Sequence, residues 1–220
     1  MTRFKRSILA VLLVTLFAIL ITGCGKNNIE KVISLGSVEG STYTNDYFGS
    51  TFTIPEEWVI ADEEEMEMIT NMGQELIAGD DEELNKEIDL SKEKTLNMVM
   101  AFKYPLTHTD GYNPNIMCIA ENLNLVEGLA IKNGDDYLEY SKEVLQMSGM
   151  PYSFEDVYTE KIGGKEFHVL VAKLDFGVME ITQKYYSTII NKYAFNFIVS
   201  YSNDEELEEL NGVLNTVEFK

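Results

Sequence analysis

The residues of this chain able to do chemistry are few, and their spacing does not serve it. Its two histidines, His108 and His168, lie far apart, and neither stands in a nucleophile motif or at zinc-ligand spacing. Gly-x-Ser-x-Gly, Gly-x-Gly-x-x-Gly and His-Glu-x-x-His are all missing from the sequence. Gly163-Gly164-Lys165 looks like the end of a phosphate loop, but the earlier glycine such a loop needs falls at Thr159, so the pair reads as a tight turn. Hard oxygen ligands are better represented, in Asp80-Asp81-Glu82-Glu83 and in the loop holding His108, Asp110, Asn113 and Asn115. If Gly111 took the glycine position of a calcium loop, Leu106 and Met117 would fall where the first and twelfth ligands must be oxygen donors. The sequence therefore predicts no metal site and no cofactor. The acidic run reads as a solvated connection between helices, and His108, Asp110, Tyr112 and Asn113 remain as a candidate ligand surface. Among 37 acidic residues a pair of carboxylates could serve a hydrolase, but number alone selects none.

Cys24 has a clearer chemistry. Arg3, Lys5 and Arg6 precede a nearly unbroken apolar run from Ser7 to Ile21, about 15 residues long and so short of the roughly 20 a membrane span needs. With Ile21-Thr22-Gly23-Cys24 at its end, the segment resembles a bacterial lipoprotein signal sequence. That resemblance implies cleavage before Cys24, a diacylglyceryl group on its sulfur, and a domain tethered to the membrane on the extracytoplasmic side. Two acyl chains anchor stably where one does not. The expected organisation is a signal peptide over 1–23, the lipid cysteine with a flexible tether over 24–42, and one domain over 43–220. Loss of the signal would leave 14 basic against 37 acidic residues, a net charge of −23 that opposes nucleic acid and anionic surfaces. Cys118, in Ile116-Met117-Cys118-Ile119-Ala120, reads as a buried, inert strand residue.

The elements follow from periodicity. Aromatic residues on either side of Gly49 predict two short strands ending at Pro55. Asp62 and Glu65 form a capping signal for an amphipathic helix through Met66, Ile69, Leu76 and Ile77. Strands are expected over Thr95–Tyr104, Ile116–Leu123, Phe154–Ile162, Lys165–Leu174, Met179–Ile190, Tyr193–Tyr201 and Thr216–Phe219. Helices are expected over Asp135–Ser148 and Asn203–Leu214, the second opened by Ser202 with Glu205 as a capping box. Tyr193, Phe195, Phe197, Val199 and Tyr201 recur at period two, a core stripe whose alternative is a tyrosine-rimmed groove between sheet and helix. The sum is a single α+β domain, one antiparallel β-sheet flanked by helices.

The opening Tyr-x-Asn-x-x-Phe-Gly-x-x-Phe-x-x-Pro-x-x-Trp, from Tyr43 to Trp58, together with the order of elements, resembles the PsbP-like α/β sandwich superfamily. The resemblance implies a non-catalytic binding or accessory role, with an envelope protein or small ligand as partner. No functional residue is carried over from it. An envelope hydrolase using paired carboxylates is the alternative expectation.

Overall fold

The computed structural model describes residues 33–123 and 131–220 of the chain. The expected signal peptide and the lipid-attachment Cys24 lie outside the described residues. In chain order the strands are β1 (Ser37–Glu39), β2 (Thr42–Asn45), β3 (Ser50–Thr53), β4 (Val59–Ile60), β5 (Thr95–Phe102), β6 (Asn115–Asn122), β7 (Tyr152–Phe154), β8 (Tyr158–Ile162), β9 (Lys165–Asp175), β10 (Glu180–Ile190), β11 (Tyr193–Tyr201) and β12 (Glu218–Phe219). The described helices are α1 (Glu63–Ala78), α2 (Glu82–Lys92), α3 (Gly134–Met147) and α4 (Asp204–Leu214).

Alternating side chains on the long strands build an eight-stranded sheet, ordered β4-β5-β6-β11-β10-β9-β7, with β8 also beside β9. Its pairings are antiparallel, those of β8 with β9, β9 with β10 and β10 with β11 through short hairpin connections. Two of the turns carry the positive φ angles of tight hairpins: Gly163 and Gly164 at 56° and 81°, Asn191 and Lys192 at 52° and 67°. A second antiparallel sheet, β1-β2-β3-β12, stacks on one face of the first.

The main core lies between the two sheets. Phe195 and Phe197 of β11 are fully buried and meet Phe48, in the turn between β2 and β3, and Phe52 of β3 at ring-centroid distances of 5.2 and 5.4 Å. Phe167 of β9 closes the group at 5.9 Å from Phe197. Leu210, Val213 and Leu214 of α4 and Trp58 seal its margins. The aromatic stripe on β11 is therefore core, as its period predicts. Cys118 sits in the same core, fully buried, and burial pushes its thiol well above the usual range.

The opposite face of the large sheet meets α1, α2 and α3. Asp62 caps α1 reciprocally with Glu65: the Asp62 carboxylate accepts from Glu65 N at 2.9 Å, and Glu65 Oε2 accepts from Asp62 N at 2.9 Å. Asn133 caps α3 through Asp136 N at 3.0 Å.

Several expectations are corrected here. The domain has two sheets instead of one, because period two assigns a face to a residue but no partner to a strand. Within the stretch expected to be a flexible tether, Ser37–Glu39 pairs with β2, while Tyr43 OH donates to Leu35 O at 2.7 Å and Asn45 Nδ2 to Ser34 O at 2.8 Å. The acidic run is more than a connection: Asp81 caps α2 by accepting from Glu83 N and Leu84 N, and Glu82 and Glu83 form its first turn. The strand expected over Phe154–Ile162 is two strands, both docked on the same edge of β9. The cap of α4 is Asn203, accepting from Glu206 N at 3.1 Å, one position later than expected; Glu206 instead reaches back to Ser202 N at 2.7 Å.

Candidate functional site

Strand register sets the side chains facing α1, α2 and α3 in rows. One row holds Asn97, Ile119, Asn196 and Ser187, and the next holds Met100, Met117, Ile198 and Tyr185. The helices do not fill the space above these rows. A cleft of about 410 Å³ remains, roofed by Ile69, Gly73, Ile77, Ile88, Val144 and Leu145. Its walls are predominantly apolar, and the volume is that of a small-molecule site.

Gly73 shows how the opening is kept. It sits in the interior of α1, where glycine costs roughly 0.5–1 kcal/mol relative to alanine, and it is not among the glycines with positive φ. A Cβ built there meets nothing within 4 Å. The missing side chain leaves room in the cleft without any demand from the backbone.

Polar groups are few and placed at the ends and on the floor. At one end Glu121, 8% exposed, accepts from Tyr137 OH at 2.8 Å through Oε2 and from Ser91 Oγ at 3.0 Å through Oε1. Burial, and then the Glu121 charge, push the Tyr137 phenol well above its usual range. Lys92 stands on this rim, its ammonium donating to Asn71 Oδ1 and Gln74 Oε1. At the other end Tyr185 OH donates to Gln183 Oε1 at 2.9 Å, and Gln183 Nε2 donates to Ser200 Oγ at 3.3 Å. Burial raises the Tyr185 phenol, and the neighbouring Tyr152 and Tyr112 hydroxyls add to the shift. On the floor, Asn196 Nδ2 donates to Ala194 O at 2.9 Å while its Oδ1 has no partner.

The residues singled out in sequence as a ligand surface sit elsewhere. His108 stacks on Tyr104 at 4.3 Å, and its Nε2 lies 2.9 Å from Asp110 O. Asn113 exchanges two hydrogen bonds with the Tyr104 backbone, at 2.9 and 2.8 Å. These groups brace the β5–β6 loop. Tyr112 alone reaches toward the cleft's polar end: its hydroxyl accepts from Asn115 Nδ2 at 3.2 Å, in the row of Ser200 and Gln183. His168 faces Ser187 across β9 and β10 and packs close to Gly134 at the start of α3. Among the described residues, no three His, Cys, Asp or Glu side chains gather as a metal ligand set. The alternative expectation of a tyrosine-rimmed groove between sheet and helix was tied to the Tyr193–Tyr201 stripe, which is core; the cleft lies on the other face, where the strands carry a mixed polar and apolar pattern and the glycine inside an otherwise helical α1 was the available signal.

No protein-family model matches the chain, and no curated protein matches it by sequence. Among solved structures it is similar to the cyanobacterial PsbP protein CyanoP of Synechocystis sp. PCC 6803, at 14% identity and a TM-score of 0.46, over 91% of this chain and 99% of that one. It is similar to LpqN, involved in cell envelope biogenesis of Mycobacterium tuberculosis, at 11% identity and a TM-score of 0.41, over 82% of this chain and 85% of that one. A Bacteroides thetaiotaomicron VPI-5482 protein aligns at 11% identity and a TM-score of 0.43, over 83% of this chain, which spans about half the length of that protein. These are likenesses of outline, and the function is argued from the cleft.

Proposed function

We propose that this chain is a lipid-anchored, extracytoplasmic binding protein, not an enzyme, and that it holds a small, largely apolar ligand in the cleft between the large sheet and helices α1 to α3. The cleft carries the proposal: about 410 Å³ of apolar-walled space, kept open by a helix-interior glycine, on a sheet whose other face is a filled core. Its chemistry favours binding over hydrolysis. A glycosidase-type mechanism needs two carboxylates facing each other across roughly 5 to 10 Å. Among the described residues this lining has one, Glu121, with a hydroxyl donating to each oxygen. The anchor rests on Cys24 and the signal-like segment before it. Among the described residues no helix is long and apolar enough to cross a membrane.

The test is to fill the cleft. Gly73→Phe places a ring in the open space while improving the helix, so the variant should be no less stable than the wild type. Titration with Nile red, an uncharged environment-sensitive dye, should show saturable binding to the wild type and at least about tenfold weaker binding to the variant. Equal binding by both would place the dye elsewhere and remove the cleft as the ligand site.

A further inference from the structure

Among the described residues, three of the five buried side-chain polar atoms without a partner lie on the cleft side of the large sheet. Asn196 Oδ1, Ser187 Oγ and Asn115 Oδ1 all lie on that face, and all three residues are more than nine-tenths buried. Asn196, 3% exposed, lines the cleft directly. Its orientation follows from chemistry, since the side-chain atom bonded to the Ala194 carbonyl must be the amide nitrogen. The carbonyl oxygen is then the unmet atom. A buried acceptor left without a donor is destabilising, and native interiors carry few of them.

Resting on the reading of the cleft as a ligand site, we propose that its ligand is an uncharged amphiphile whose polar end is a hydroxyl donating a hydrogen bond to Asn196 Oδ1. The apolar body lies along Met100, Met117, Ile198 and the roof of α1, and the hydroxyl meets Asn196. A donor is called for because the unmet atom lining the cleft is a carbonyl oxygen, which only accepts. An anionic head is opposed by the Glu121 carboxylate in the wall and by the chain's net charge of −20, while Lys92 is committed to Asn71 and Gln74. A cationic head would find each Glu121 oxygen already accepting one hydroxyl, which leaves less of the carboxylate free to pair with it.

The experiment labels the methionine methyls of the full, lipid-anchored chain in neutral phospholipid nanodiscs and follows the Met100 and Met117 signals, with empty discs correcting for partition. The probes are octanol, methyl octyl ether, octane, octanoate and octylammonium. Octanol should shift both methyls saturably and bind about tenfold tighter than octane or the ether, which has the oxygen but no proton to donate. Octanoate and octylammonium should bind at least about tenfold more weakly than octanol. Asn196→Leu should abolish the preference for octanol over octane. Equal binding of octanol, ether and octane, retention of the octanol preference in Asn196→Leu, or tighter binding of either ion would overturn the hydroxyl assignment while leaving the cleft as an apolar site. If none of the five moves the methyls, the cleft reading falls with it. The comparisons among ligands need no variant and decide the matter even if Asn196→Leu does not fold.

Discussion

Truncating Phe197 and its neighbour Ile198 to alanine, one at a time, separates the two faces of β11. Phe197 is fully buried, with ring partners Phe195, Phe52 and Phe167 at 5.3, 5.4 and 5.9 Å. A core Phe→Ala change costs about 3–5 kcal/mol, and ring pairs worth about 0.5–1.5 kcal/mol each beyond their area place this site at the upper end, about 4–5 kcal/mol. Ile198 points the other way, is half-buried, and borders space that is already empty. Its truncation removes methylenes worth about 0.8 kcal/mol each when fully buried and opens no new void, so the loss should be about 1–1.5 kcal/mol. Urea unfolding, followed by fluorescence of the single tryptophan, Trp58, reads both. With a slope of about 2 kcal/mol/M, Phe197→Ala should lower the midpoint by about 2 M and Ile198→Ala by less than about 1 M. Equal losses would mean that the helix-side face is packed as tightly as the core and that the cleft closes in solution. A loss below about 2 kcal/mol for Phe197→Ala would refute the assignment of the core to the space between the sheets.

Gly134→Ala should destabilise by about 1–3 kcal/mol and weaken dye binding, because the added Cβ would fall 2.2 Å from the Ser187 carbonyl oxygen and push α3 off the sheet; thermal unfolding and dye titration measure both. In alkali the fold should hold to about pH 10 and then lose stability. Burial raises the folded-state pKa of Tyr201 to about 12 and pushes those of Tyr43, Tyr137, Tyr185 and Tyr186 up as well, whereas an unfolded tyrosine ionises near pH 10. The neutral phenols thus stabilise the fold fully below about pH 10, and this contribution fades as pH climbs through the folded values. Tyrosinate absorbance and ellipticity should change together; full ionisation at pH 10 with an intact spectrum would contradict it. Cys24→Ala should abolish incorporation of labelled palmitate and leave the domain folded, and equal labelling of variant and wild type would remove the lipid anchor.

What the sequence revealed follows from where each signal is stored. Asp62 with Glu65, Gly163-Gly164 and the alternation from Tyr193 to Tyr201 act through neighbours in the chain, and the fold uses them as their chemistry implies. Helix α2 stayed hidden because its one strong local cue, the Asp81 cap, was submerged in a run of acids that continues into Glu82 and Glu83 of its first turn. Strand β1 has no buried residue, so no hydrophobic period marked it. The second sheet and the cleft depend on which distant strands meet, which alternation does not encode. Of the loop residues offered as a ligand surface, Asn113 is taken up by the backbone it braces and Tyr112 lies in the polar row at the cleft's end. Asn196 lies between Phe195 and Phe197, off the period-two stripe, and only its burial on the helix side gives its oxygen meaning.

The placement of β1 also has a mechanical consequence. This strand is the outermost member of the small sheet, joined to β2 through a turn at Gly40 and Ser41, with Ser37 opposite Thr44 at the end remote from that turn. Tension applied to the chain ahead of Ile33 therefore arrives at the open end of the hairpin and separates its hydrogen bonds one after another, as a zipper opens, where shear would have to break them all at once. The first to part are the clips from Asn45 to Ser34 and from Tyr43 to Leu35, followed by the three pairs of β1. Residues 34–41 would pay out as slack of about 3.3–3.6 Å each, on the order of 25 Å in total. The aromatic core behind β2 and β3 would feel none of this load, so the domain can yield reach under strain, keep its cleft intact, and rewind when the pull stops.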